Sequence, residues 1–224
     1  MSYYTLLLVL MVAAMAAQWY MSVTYGRFSR IRNARNLTGA EVARDILDSN
    51  GLNSVVVERI SGQLNDHYDP IHKVVRLSDA NYSQPSLAAL AVAAHECGHA
   101  VQDARGFAPL RIRADLFPVL SFGSNIGPYL IIGGLLLNLA PVAWLGVLTF
   151  SGAILFHLIT LPVEFDASNR ALATLRTNGY LAPAELSGAQ TVLTAAALTY
   201  LVGFLIAVAQ LLYWVSLLTG NRRG

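Results

Sequence analysis

Three stretches of this chain carry no charge at all. Residues 1–26, 116–163 and 186–221 contain no Asp, Glu, Lys or Arg, and together they hold 110 of the 224 residues. Crossing a hydrocarbon core of ~30 Å takes about 20 apolar residues in a helix, so each stretch is long enough to do so. All 28 charges sit in the other 114 residues, at a density close to the ~25% of soluble domains. The overall charged fraction of 12% therefore averages two populations. Such a chain should fold as membrane spans joined to a modest polar part. A hydrophobic content of 55% excludes disorder. A net charge of +2 argues against a nucleic-acid partner. The single cysteine, Cys97, allows no internal disulfide.

Tyr3–Tyr25 reads as an uncleaved membrane anchor. Trp19, Tyr20 and Tyr25 suit one interface, and Tyr3 and Tyr4 the other. A cleaved signal peptide fits poorly, because the segment is too long and lacks a basic start. Arg27, Arg30, Arg32 and Arg35 follow at once. The positive-inside rule then places Met1 outside and residues 27–115 in the cytoplasm. The 48-residue block should form a hairpin, Leu116–Leu137 out and Val142–Leu161 back, turning at Asn138–Pro141. Thr191–Leu218 reads as one long tilted span, with re-entry as the alternative. Of 15 Lys and Arg residues, 13 then lie inside; Arg222 and Arg223 break the rule.

The polar part should be a small α+β unit. Thr38 and Glu41 form a capping box for a helix ending at Asn50-Gly51. Val55–Ile60 and Lys73–Ser78 read as strands, with a loop or hairpin turn around Asp69-Pro70 between them. A second helix should start near Ser86, after Pro85, and run to about Ala104 before Gly106.

His95-Glu96-Cys97-Gly98-His99 lies within that helix. Residues four apart share a helix face, so both imidazoles can hold one Zn²⁺. Glu96 is not a ligand. It is placed to take a proton from water and pass it to a leaving amine. With five His and five Glu in the chain, H-E-x-x-H arises by chance in roughly one such chain in 400. The flanks Leu87–Ala94 and Ala100-Val101 are apolar, so the helix should be buried nearly all round. Gly98 is costly inside a helix, which suggests close approach of another backbone. Cys97 should face away from the metal.

Catalytic zinc needs a third protein ligand and an open position. Glu164 is the best candidate, because it is the first charge after the 48-residue block. A hairpin starts and ends on one side, so Glu164 returns to the compartment of His95 and His99. Pro162 suits a helix start, giving a helix to about Thr177.

Several of these motifs together resemble the YugP-like family of neutral zinc metallopeptidases of membranes. They are Asp66–Pro70, Val75–Ser78, Ala93–Gln102 and Leu161–Ser168. The resemblance covers nearly the whole chain. It implies zinc-ligand roles for His95, His99 and Glu164, and a catalytic role for Glu96. More distantly, the layout is similar to HtpX-like membrane proteases, which carry an Asp four residues after the ligand Glu. Here that position is Ser168, and Asp166 would lie off that face of a regular helix.

The expected fold is mainly α: a polytopic membrane protein of about four transmembrane helices with a small zincin-like cytoplasmic part. Its expected segments are a first span (1–26), a cytoplasmic metalloprotease domain (27–115), a hairpin (116–163), a third-ligand helix (164–190) and a last span with its tail (191–224). The expected function is a zinc-dependent endopeptidase of the plasma membrane. Its site would face the cytoplasm and act on membrane-associated proteins or peptides. A membrane protein partner is a further expectation. The rivals are a site-2-type intramembrane protease, a membrane adaptor whose zinc is structural with His67 as a closing ligand, and a zinc transporter. Val74–Ser78 reads either as an edge strand able to pair with an extended substrate or as part of a plain hairpin. His67 and His72 read as solvated loop residues or as substrate contacts. His157 reads as a hydrogen-bonded packing residue within a span. Arg170, Asn169 and Tyr68 are candidate donors to a developing oxyanion.

Overall fold

The computed structural model describes residues 3–220. Met1, Arg222 and Arg223, on which part of the topology argument rests, lie outside the described residues. The described chain is mainly helical: α1 (Tyr3–Phe28), α2 (Gly39–Ser49), β1 (Val56–Ile60), β2 (His67–Asp69), β3 (Val74–Ser78), α3 (Asp79–Ser83), α4 (Leu87–Ala104), α5 (Ala108–Leu136), α6 (Ala140–Thr177) and α7 (Pro183–Gly220). Four of these, α1, α5, α6 and α7, are long and apolar enough to cross a membrane.

The residues group into two compact units. One draws on residues 17–108 and 162–198 and is built around α4. Its helix forms because Ala and Leu fill the first two turns and the hydroxyl of Ser86 accepts the N–H of Ala89 at 3.1 Å. It stops at Arg105, followed by Gly106 with φ +67°. Against α4 pack α2, α3 and the sheet. Helix α2 begins with the expected box: Thr38 Oγ1 accepts from Glu41 N–H, and Glu41 accepts from Thr38 N–H. Leu47, Leu77, Leu90 and Leu175 are fully buried in this core, each worth ~1.5–3 kcal/mol of burial. The segment leaving α1 is tied to the start of α4 by two backbone bonds, Asn33 N–H to Pro85 and Leu87 N–H to Ile31.

The sheet corrects the sequence reading. Its order is β1-β3-β2, with β1 parallel and β2 antiparallel to β3. The segment expected as a loop thus contains a third strand, pairing His67 with Arg76 and Asp69 with Val74. Val74–Ser78 is the central strand, hydrogen-bonded on both sides, and has no edge to offer a peptide.

The other unit draws on residues 1–16, 109–161 and 199–224. Here α5 and α6 turn back at Asn138, which takes φ +55°. Small residues let the two helices approach: a Cβ on Gly134 would stand 2.4 Å from the Ala143 nitrogen. Trp214 and Leu218 of α7 complete this core with Ile131, Val147 and Phe150. The hairpin helices run longer than expected at their polar ends. Pro162 does not start a new helix; it lies inside α6, which is continuous from Ala140 to Thr177. A span tolerates such a proline because neighbouring groups can satisfy the backbone it frees. Likewise α7 runs unbroken from Pro183, so its described residues neither re-enter nor double back.

Candidate metal centre

The centre lies wholly within the unit built around α4. His95 and His99, one helical turn apart, stand with ring centroids 4.7 Å apart and edge to face. α6 brings a third group to them. Val163, Ala167, Ala171 and Leu175 are buried at four-residue spacing, so one stripe of α6 faces the core, and Glu164 and Ser168 border it. Gly98 is what permits the approach: a Cβ there would lie 2.8 Å from the carbonyl oxygen of Ala167 and 3.2 Å from its Cα. The expected close backbone is therefore that of α6.

Glu164 Oε2 lies 3.2 Å from His95 Nε2 and 3.8 Å from His99 Nε2. The ligand-type atoms of the three residues all fall within 4.8 Å of one another. Glu164 is 4% exposed, so water does little to soften the crowding of electron-rich atoms. Two imidazole nitrogens and a carboxylate oxygen converging there need a proton or a cation among them. Nitrogen and oxygen donors in this combination suit Zn²⁺.

Groups around the three hold their orientation. Ser168 Oγ lies 3.2 Å from His95 Nδ1. Gln102 Oε1 lies 3.0 Å from His99 Nδ1, and Gln102 Nε2 donates to the Val163 carbonyl and to Asp166 Oδ2, both at 2.8 Å. Asp166 also accepts from Arg170 Nε. Asp166, off that face as expected, reaches the cluster through Gln102, while Ser168 takes the direct place beside a histidine. Sequence reasoning passed over Gln102. Its signal was an uncharged polar residue three positions after His99, following the apolar pair Ala100-Val101.

Glu96 is buried beside the cluster. Burial pushes its carboxyl up to about 7; His95 opposes that shift, Glu164 and Asp66 add to it, and the Tyr68 backbone N–H on the carboxylate opposes it. That N–H belongs to β2. The approach to β2 is pinned by Asp66, which accepts from Ser78 N–H at 2.6 Å and Asn81 Nδ2 at 2.9 Å.

The remaining candidates fall elsewhere. Cys97 is fully buried against α2, its thiol 3.5 Å from the Ala43 carbonyl. His67 Nδ1 lies 2.9 Å from the Asn65 carbonyl, and its Nε2 is 3.3 Å from Arg76 Nη1. His72 pairs with Asp69 at 2.7 Å. Both histidines are exposed, and neither belongs to the three-residue cluster. The Tyr68 phenol donates to Asp103 at 2.7 Å, and Arg170 is paired with Asp166, so these two candidate oxyanion donors are engaged; the third, Asn169, is exposed. His157 corrects its expectation: Nδ1 has no hydrogen-bond partner among the described residues, and the ring packs against Gly203.

Four helices long and apolar enough to cross a membrane and a largely buried His–His–Glu cluster that could hold a metal ion define the class: mainly helical proteins of membrane type with a candidate metal centre. The chain belongs to the family described as "Putative neutral zinc metallopeptidase", matching it over residues 3–219. It is similar to the "Putative membrane protease YugP" of Bacillus subtilis (strain 168), with 43% identity over 206 residues, 92% of each chain. No solved structure matches it significantly.

Proposed function

We propose that this chain is a zinc-dependent endopeptidase of the cell membrane that cleaves membrane-associated proteins. One observation carries the reading: His95, His99 and Glu164 converge at a buried point with the Glu96 carboxyl beside them. His95, His99 and Glu164 would hold the zinc, and Ser168 and Gln102 would orient the two rings. When bound, the ion polarises the scissile carbonyl and lowers the pKa of water. Glu96 accepts the proton of the attacking water at its carboxylate and delivers it to the leaving nitrogen as the C–N bond breaks. The apolar faces of α4 and α6 exclude bulk water from the reacting centre.

Among the described residues the cluster has three ligand-type members, which fits a catalytic zinc better than a closed structural one with four. The acid in the cluster is a glutamate, unlike the Asp ligand of the site-2 type. Residues 27–115, 164–190 and the site between them face the cytoplasm in this reading, following the arginines after α1. Substrates are then membrane proteins cut near that interface. The test is cleavage of a membrane-protein substrate by the purified protein and its Glu96→Gln variant. The variant keeps its zinc and loses cleavage by 10²-fold or more; full cleavage with zinc retained contradicts the assignment.

A further inference from the structure

The side chain of Gln102 is fully buried. A buried primary amide must place two N–H donors and one carbonyl, and here each has a partner. Nε2 faces the Val163 carbonyl and the Asp166 carboxylate, each at 2.8 Å. Both partners are acceptors, and Asp166 is kept so by Arg170. Turning the amide over would set its oxygen against two other oxygens at hydrogen-bond distance. The orientation of Gln102 is therefore dictated by its surroundings, and its oxygen must face His99.

A carbonyl oxygen only accepts. At 3.0 Å from it, His99 Nδ1 must carry a proton. A neutral imidazole has one N–H, so Nε2, the nitrogen toward Glu164 at 3.8 Å, is the acceptor end of the ring. His95 differs, because its Nδ1 faces the Ser168 hydroxyl, which can donate or accept.

We propose that Gln102 is a positioning residue, held by the Val163 carbonyl and Asp166, that fixes His99 in the Nδ1–H tautomer and aims its Nε2 at the metal position. The zinc half of this statement rests on His99 being a ligand, as proposed above; the tautomer half does not. α4 supplies the ring and the amide, and α6 supplies the two acceptors. Reading the tautomer at His99 thus requires the two helices to be correctly docked. A metal site assembled from two helices is thereby coupled to their packing.

The test uses the full chain in detergent micelles, labelled with ¹⁵N at its five histidines. In the metal-stripped protein at alkaline pH, His99 shows a protonated Nδ1 and an unprotonated Nε2. In Gln102→Leu the ring loses that preference, and zinc affinity, read by chelator competition, falls about 10–100-fold. Asp166→Ala, which leaves the Val163 acceptor in place, moves both readouts the same way but less, and covers the case that Gln102→Leu fails to fold. A wild-type His99 with its proton on Nε2 overturns the proposal, as does a folded Gln102→Leu that binds zinc as tightly as wild type. Failure of the wild type to bind zinc contradicts the peptidase reading and leaves the ring measurement to decide whether Gln102 fixes the tautomer.

Discussion

Gly98 of α4 and Ala167 of α6 touch so closely that a single methyl group on Gly98 would reach 2.8 Å from the Ala167 carbonyl oxygen. This contact places the helix bearing His95 and His99 beside the helix bearing Glu164 and Ser168. The obstacle is backbone, which cannot rotate away. Gly98→Ala is therefore expected to push the helices apart, at ~1–3 kcal/mol, and to weaken zinc binding. Gly133→Ala is the control, since nothing lies within 4 Å of that position. It should be neutral or slightly stabilising, because Ala is favoured over Gly in a helix. Thermal unfolding in detergent with chelator competition reads both.

Helix α4 depends on its first turn. Ser86→Ala removes the cap on the Ala89 N–H and should cost ~0.5–2 kcal/mol. Ser86→Thr, which keeps a capping hydroxyl, should restore part of it. Unfolding midpoints of the three proteins check this, and equal midpoints for Ser86→Ala and wild type would contradict it.

Cys97 sits between the two histidines in sequence and away from them in space. Cys97→Ala should keep zinc and cleavage. The native thiol, fully buried against α2, should react with maleimide only after unfolding. Mass spectrometry of labelled protein reads this directly.

The turn from β2 to β3 has a pH signature. The backbone N–H of His72, then its ring and Arg76, hold the Asp69 carboxyl well below the usual carboxylate range. A group depressed on folding contributes stability above its unfolded value, near 4, and loses it as pH falls through the lower folded value. Asp69→Asn should thus melt below wild type at pH 7, with the gap narrowing as pH drops under about 4.

The parts written in local spacing were the legible ones. His95 and His99 are set by one helical turn, the Thr38–Glu41 box by three residues, and Glu164 by the end of an uncharged block. What escaped depends on long-range pairing. β2 has three residues, too few to show alternation, and only its pairing with β3 makes it a strand. That same pairing puts Val74–Ser78 in the centre of the sheet. Pro162 looked like a helix start because a proline is tolerated there, and a membrane-type helix tolerates it inside as well. Gln102 acquires meaning only when α6 delivers the Val163 carbonyl and Asp166 to it.

In the proposed function His95, His99 and Glu164 together hold one catalytic zinc. X-ray absorption at the zinc edge of the purified protein tests it most directly. The expected result is one zinc per chain with only nitrogen and oxygen neighbours at about 2.0–2.2 Å, two of them imidazole, and loss of that signal in His95→Ala and Glu164→Ala. A sulfur neighbour at about 2.3 Å, or zinc retained unchanged without Glu164, would contradict it.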